Sequence, residues 1–264
     1  MREITSVENP RFRWALKLQQ SSRERRKSSL SLLDGVHLVK AYLEHVGTPE
    51  EIFVNRSELH DRETALLIDS AGFEPVVLSN ALFRALSSVT TPTGIVAVVK
   101  TPRPLAIPAV PGPCIMLEDI QDPGNLGSIL RSTAALGIEE LYLSRNSVHA
   151  WSPRVLRAGM GAHFAMRIYE GVDLEALARE YPGKVFAAAH DGATPVYATD
   201  LRGRVALLFG NEGSGLSAGL KAAAHATISI PMPGKAESLN VAAAAAVCLF
   251  ERVRQQSVSG ARFQ

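Results

Sequence analysis

Only two cysteines occur in 264 residues, and both, Cys114 and Cys248, sit inside apolar stretches. That scarcity argues against a disulfide framework or a thiolate metal site; it points to two small core residues in a reducing compartment. Long apolar runs are missing too. The longest, Val241–Phe250, is too short to cross a bilayer and reads as a core helix, so no membrane association is expected. No apolar segment follows the polar, basic start of the chain, so a secretory leader is not expected and a cytoplasmic location is. Internal repeats and low-complexity tracts do not stand out. Net charge is nearly absent, at +2.

What is present describes a globular protein. A hydrophobic fraction of 46% with 20% charged residues implies a proper buried core. The length suits one large domain or two modest ones. The small net charge hides an uneven distribution: residues 1–27 hold eight Lys or Arg against three Asp or Glu, and the rest of the chain is slightly acidic. A basic end of this kind either attracts an anionic partner through counterion release or serves solubility, and charge alone does not choose.

Thr101–Pro113 carries five of the fifteen prolines. Proline removes a donor and fixes φ, so the segment reads as an extended linker. The expected layout is a small domain over residues 1–100, a linker over 101–113 and a larger domain over 114–264. In the first, helices are expected at Pro10–Ser21, His37–His45, Glu63–Ala71 and after Asn80, with strands at Glu51–Asn55, Pro75–Ser79 and Gly94–Val99. In the second, apolar strands at residues 114–120, 140–144, 184–190, 205–210 and 227–232 alternate with helices at 124–137, 152–164 and from Ser238–Asn240 to about Gln255. The fold class is α/β, with a parallel sheet covered on both faces in the second domain.

Parallel sheets place ligands at the carboxyl ends of their strands. Three such ends are rich in Gly, Pro, Asn or Ser: LEDIQDPGNLGSILR, LLFGNEGSGLS and ISIPMPGKAESLNVA. The second is not a phosphate loop. It lacks the Lys-Ser/Thr of a P-loop, and Gly210, Gly213 and Gly215 are spaced G-x-x-G-x-G rather than G-x-G-x-x-G. Its carboxylate, Glu212, would repel a phosphate. A ligand with a flat polar edge and little negative charge fits better. Taken singly, each loop is better explained as a tight turn needing positive φ.

Taken together and in order, the three loops resemble the signature motifs of the SpoU/TrmH family of RNA ribose 2′-O-methyltransferases, within the SPOUT superfamily. Motif one matches at Asn125, Gly127 and Arg131; motif two at Gly210, Asn211, Glu212, Gly213 and Gly215; motif three at Ile230, Pro231, Met232, Ser238, Leu239 and Asn240. NPRFRWALKL, DGVHLVKAYL and TPTGIVAVV more loosely resemble the small substrate-binding domain, similar to ribosomal protein L30e, that many members carry.

The resemblance implies a C-terminal trefoil-knotted domain, a homodimer with the active site at its interface, and S-adenosyl-L-methionine as cofactor. It implies cofactor binding by Gly210, Asn211, Glu212, Gly213, Ile230, Met232, Ser238 and Leu239. Its catalytic set is Arg131, Asn125, Glu212, Ser238 and Asn240. The family's arginine has been cast as a base. A guanidinium pKa above about 12 favours instead holding the target phosphate and stabilising the developing alkoxide. Asn125 is then expected to orient Arg131 or the substrate, and Glu212 to fix its loop or pair with Arg131. Ser238 and Asn240 are equally good helix caps. His149 and His163 have no ligand spacing, and an already activated methyl donor requires no metal. RNA contacts are expected from Arg11, Arg13, Lys17, Arg23, Arg25, Arg26 and Lys27, whereas Phe12, Leu16 and Leu18 read as core. The expected partner is RNA, ribosomal RNA before transfer RNA. A non-catalytic RNA-binding or ribosome-assembly protein of the same fold is the alternative from another class.

Overall fold

The computed structural model describes residues 2–59, 61–72, 74–89, 91–104, 106–189 and 194–258. Leu105 in the expected linker and His190 at the end of an expected strand lie outside them. The chain forms two compact units. One is Met1–Pro102 with Trp151–Phe164; the other is Arg103–Ala150 with Ala165–Gln264. Among the described residues no helix is long and apolar enough to cross a membrane.

The first unit holds strands β1 (Arg2–Ile4), β2 (Leu30–Asp34), β3 (Glu51–Asn55), β4 (Val76–Leu78) and β5 (Ile95–Lys100) in the order β1-β4-β3-β5-β2. β5 runs antiparallel to both its neighbours. Helix α1 (Pro10–Gln20) begins where the Asn9 side chain accepts from Arg11 N and Pro10 needs no donor. Its three-residue spacing buries Phe12, Ala15 and Leu18 against Leu32, Phe53 and Val96, with Leu16 partly buried on the same cluster. A helix not expected from sequence, α2 (Ser22–Ser28), follows at once. Ser21 caps it and Ser29 ends it in a left-handed conformation at φ 55°. Helices α3 (Val36–His45), α4 (Arg62–Ala71) and α5 (Asn80–Leu86) complete the unit's main layers.

The second unit begins with β6 (Cys114–Leu117), helix α6 (Pro123–Ala135) and β7 (Glu140–Leu143). The chain then returns to the first unit for helix α7 (Pro153–Gly159), which packs on β2 there. That helix stops short of the expected end because Met160 turns left-handed at φ 49°. The second unit resumes with β8 (Arg167–Glu170), α8 (Leu174–Glu180), β9 (Lys184–Ala188), β10 (Thr194–Pro195), β11 (Val205–Phe209), α9 (Ala218–Ala223), β12 (Ala226–Ser229) and α10 (Val241–Val258). Its seven strands lie in the order β10-β12-β9-β11-β6-β7-β8, and every pairing is parallel. The sheet is therefore the expected covered parallel one. β11 is buried along its whole length, as a strand with helices on both faces must be. Leu174 and Ala178 of α8 and Leu220 of α9 pack on Met116, Ala206 and Leu208, while α10 packs on α6 and β11. β8 and α8 escaped the sequence reading because they are short and polar at their ends. All seven strands point the same way, so every loop that follows a strand opens on one edge.

Candidate active site

That edge brings the three motif loops together. After β6 the chain turns through Asp119, and Asp122 caps α6 by accepting from Asn125 N at 2.8 Å. After β11 the second loop closes on itself. Asn211 N donates to Gly215 O at 3.1 Å and Gly215 N to Asn211 O at 2.9 Å. The Asn211 side-chain oxygen accepts from Gly213 N and Ser214 N at 2.9 and 3.0 Å. The closure dictates two glycines. Gly215 sits at φ 70°, and a Cβ on Gly210 would lie 2.2–2.4 Å from the main chain of Gly215 and Leu216.

Glu212 projects from this loop onto the first. Its carboxylate accepts from Gln121 N at 3.2 Å, Asp122 N at 3.1 Å and Asn125 Nδ2 at 3.0 Å. Desolvation pushes its pKa up, but the hydrogen bonds from Asn125 and the main chain outweigh it and hold the carboxyl below its usual range. Asn125 uses its other amide end as well, its Oδ1 accepting from Asn240 Nδ2 at 2.8 Å. Asn240 in turn caps α10, its Oδ1 accepting from Ala242 N at 2.9 Å and Ala243 N at 3.3 Å. The orientations follow from one another. The helix N–H groups demand the Asn240 oxygen, which turns its NH2 toward Asn125 Oδ1, which turns the Asn125 NH2 toward Glu212. One polar chain thus links all three loops.

Beside it lies a cavity of about 610 Å³, within the range of small-molecule sites. Loop two contributes Gly210, Asn211, Glu212 and Gly213; loop three contributes Ile230, Met232, Ser238, Leu239 and Asn240; α6 contributes Asn125. Sequence reasoning missed the opposite wall, formed by Ala188, Ala189, Lys221, Thr227 and Cys248. Those residues carry no motif; the β9–β12 pairing brings Ala188 and Thr227 there, and helices α9 and α10 bring Lys221 and Cys248. Cys248 is buried, which pushes its thiol up to about 12. Bare main chain on one side, the small side chains of Ala188, Ala189 and Cys248 on the other and one fixed carboxylate suit a flat heterocycle joined to a cationic centre, with Lys221 and Thr227 the polar members of that second wall. Among the described residues no His, Cys, Asp and Glu cluster could hold a metal ion.

Several expectations need correction. Arg131 is exposed on α6, does not line the cavity, and its side chain has no hydrogen-bond or ion-pair partner among the described residues. Glu212 therefore fixes loops rather than pairing with it, and Asn125 orients Glu212 and Asn240 rather than Arg131. Ser238 is not a cap; Asn240 does that work. Among the basic candidates, Arg25 is only 4% exposed, and its guanidinium donates to Leu18 O and Gln19 O at 2.5 and 3.1 Å. It is a structural tie between α1 and α2, closed to phosphate. Arg11 and Arg13 are exposed but paired with Glu51 and Glu8 at 3.0 and 3.1 Å. Lys17, Arg23, Arg26 and Lys27 line the same basic stretch, and all four are exposed. His149 and His163 are both buried, the latter against Trp151 with ring centroids 5.2 Å apart.

Comparison with known proteins agrees with this geometry. The SpoU rRNA Methylase family model matches residues 112–250, and the MRM3-like substrate binding domain matches residues 9–97. A Bacillus subtilis protein named 23S rRNA (guanosine(2553)-2′-O)-methyltransferase RlmP is 31% identical over 254 residues, which is 95% of this chain and 98% of that protein. The SpoU methyltransferase AviRb from Streptomyces viridochromogenes, solved with AdoMet, aligns at TM-score 0.82 and 27% identity over 96% of this chain and 100% of its own. A structure described by the 2-OH methylation of C/U34 on tRNA aligns at TM-score 0.51 and 32% identity, over 55% of this chain and 96% of its own. With its family model spanning more than half the chain and its motif loops gathered at one cavity, the protein belongs to the SpoU rRNA methylase family.

Proposed function

We propose that the protein methylates a ribose 2′-hydroxyl of ribosomal RNA with S-adenosyl-L-methionine as donor. The observation that carries this reading is the cavity walled by loops two and three and bound to loop one through Glu212, Asn125 and Asn240. When bound, the cofactor supplies a methyl group already activated on a sulfonium, so the reaction asks the protein for aim and for management of one proton. Main-chain groups at Gly210, Ile230 and Leu239 hold the cofactor, with Asn211, Gly213, Met232 and Ser238 completing the wall. Glu212, kept ionised by its donors, leaves the cationic side of the site uncontested. The polar chain fixes the three loops before substrate arrives, which is where positioning contributes to rate. Arg131 holds the target phosphate and stabilises the alkoxide as it forms. Since Arg131 does not line its own chain's cavity, two copies pair and build the site at their interface. The segment after β12 threads a trefoil knot, and the enzyme works in the cytoplasm.

Residues 1–100 are the RNA-binding part, with residues 151–164 packed into the same unit; residues 101–113 are the connection, and the rest is the methyltransferase. Lys17, Arg23, Arg26 and Lys27 make its phosphate contacts. Ribosomal RNA is favoured over transfer RNA because a relative matching 95% of the chain is named for 23S rRNA, whereas the structure described by tRNA methylation aligns over 55% of it. The test is tritium transfer from labelled cofactor to total RNA, followed by mapping of the modified ribose. Arg131→Ala should lower transfer at least about 100-fold, the scale of a lost charge-stabilising donor, with cofactor affinity unchanged. Label in transfer RNA alone would replace the substrate; no heat on titrating cofactor into purified protein would end the proposal.

A further inference from the structure

We propose that Arg145 makes a second contact with the RNA, gripping a backbone phosphate one or two nucleotides from the reacting ribose, and that Asp119 is the residue that positions it. This rests on the RNA methyltransferase reading and adds a contact outside the motif loops. Arg145 follows β7 closely, is exposed, and has no hydrogen-bond or ion-pair partner among the described residues. Its neighbours in sequence are fastened down. Asp119 N donates to Ser144 Oγ at 2.8 Å, and Ser144 Oγ donates to Asp119 Oδ1 at 2.5 Å. Asn146 Nδ2 donates to Asp119 Oδ2 at 3.3 Å, and Gln121 Nε2 donates to Asn146 O at 2.8 Å. Asp119 sits at φ 52°, a conformation that costs a non-glycine residue energy and persists where its surroundings over-determine it. The third tie shows what it serves. Asn211 Nδ2, from the cavity wall, donates to Asp119 O at 2.9 Å. Asp119 therefore fixes the loop bearing Arg145 to the loop that lines the cavity.

The placement suits a nucleic-acid strand. β11, β6 and β7 are neighbours, so the loop of Arg145 stands two strand spacings, roughly 10 Å, from the loop of Gly210 along the same edge. An RNA chain that presents its ribose at the mouth of the cavity and runs on across β6 meets Arg145 next. None of the carboxylates on these loops pairs with Arg145: Glu118 accepts from Ser217 N, Asp119 from Ser144 and Asn146, Asp122 from Asn125 N, and Glu212 from loop one. Arg145 is left with its charge unneutralised, on a loop too well tied to drift.

The test reads affinity for the shortest fragment of 23S ribosomal RNA that the full-length protein binds. Arg145→Ala should bind roughly tenfold more weakly, the scale of one charge-assisted hydrogen bond. Its dependence of log K on log[salt] should flatten by about 0.7–0.9, while cofactor affinity and kcat at saturating RNA hold. Uncharged methylphosphonates introduced singly should reveal one linkage whose neutralisation weakens the wild type by the same factor and leaves Arg145→Ala unaffected. Ser144→Ala, which loosens the tie to Asp119, should lose part of the affinity and Ser144→Thr should restore it. Unchanged affinity and salt slope in Arg145→Ala, or methylphosphonate effects that add fully to it at every linkage, would overturn the proposal. Because affinity rather than turnover is read, absence of methyl transfer in the wild type would count against the proposed function alone.

Discussion

Asn240 performs two tasks that two substitutions can separate. It caps α10 through bonds to Ala242 N and Ala243 N, and it orients Asn125 through a 2.8 Å bond. Asn240→Ala removes both. A lost cap costs about 1 kcal/mol and the bond to Asn125 about another 1 kcal/mol. A change of about 2 kcal/mol lowers Tm by about 4–8 °C in a chain of this size. Asn240→Asp keeps the acceptor, and a carboxylate is welcome at a helix N-terminus, so the cap survives and the loss should be about 1 kcal/mol, the bond to Asn125 alone. Yet the substituted carboxylate has no donor to offer. Its second oxygen faces Asn125 Oδ1, and if the Asn125 amide turns over to meet it, Glu212 loses its side-chain donor. One amide cannot satisfy two carboxylates. Cofactor affinity should therefore fall roughly tenfold in Asn240→Asp, the equivalent of one hydrogen bond ordering the loops. Calorimetry supplies both readouts, thermal unfolding for the cap and titration with S-adenosylhomocysteine for the polar chain. An Asn240→Asp variant as unstable as Asn240→Ala, or one that binds cofactor with native affinity, would refute the separation of roles.

Other outcomes follow from the same contacts. Arg26→Ala with Lys27→Ala should flatten the salt dependence of RNA binding, whereas Arg25→Ala should lower Tm by more than that pair because the carbonyls of Leu18 and Gln19 lose their buried donor; equal effects on Tm would contradict this. Cys248, with its thiol pushed up to about 12, should resist alkylation at about pH 8, near the ordinary thiol value, in the native protein and react after unfolding, as mass spectrometry would show. Glu212 has a lowered pKa, so its contribution to stability is complete above the ordinary glutamate value of about 4.3 and is lost only as pH falls through its lower folded value. Glu212→Gln should therefore abolish part of the acid dependence of unfolding below about pH 4.3, and an acid profile identical to the wild type would show that the carboxylate is not held as described.

Much of the site was legible in the sequence, because strand, loop and helix alternate in ways that place Gly210 and Ile230 at strand ends and Leu239 just before the last helix. The connections between loops were not legible. Glu212 reaches a partner 87 residues away, and Asn240 one 115 residues away, and only strand order makes such groups neighbours. Arg25 misled for a different reason. Its setting among Arg23, Arg26 and Lys27 reads as a solvated basic run, but the turn at Ser21 folds α2 back so that one arginine of the cluster points inward at main-chain oxygens. Short elements such as β8 and α8 offered too few residues for a period to show.

The ring formed by Asn211 and Gly215 bears on how this fingerprint should be read elsewhere. A methyl at position 210 would collide with the ring's own peptide groups before it met any guest molecule. The demand for glycine there is thus architectural, and it would survive in a descendant that had abandoned chemistry altogether. Retention of that glycine certifies an intact hairpin; it is silent on whether the hairpin still has anything to hold.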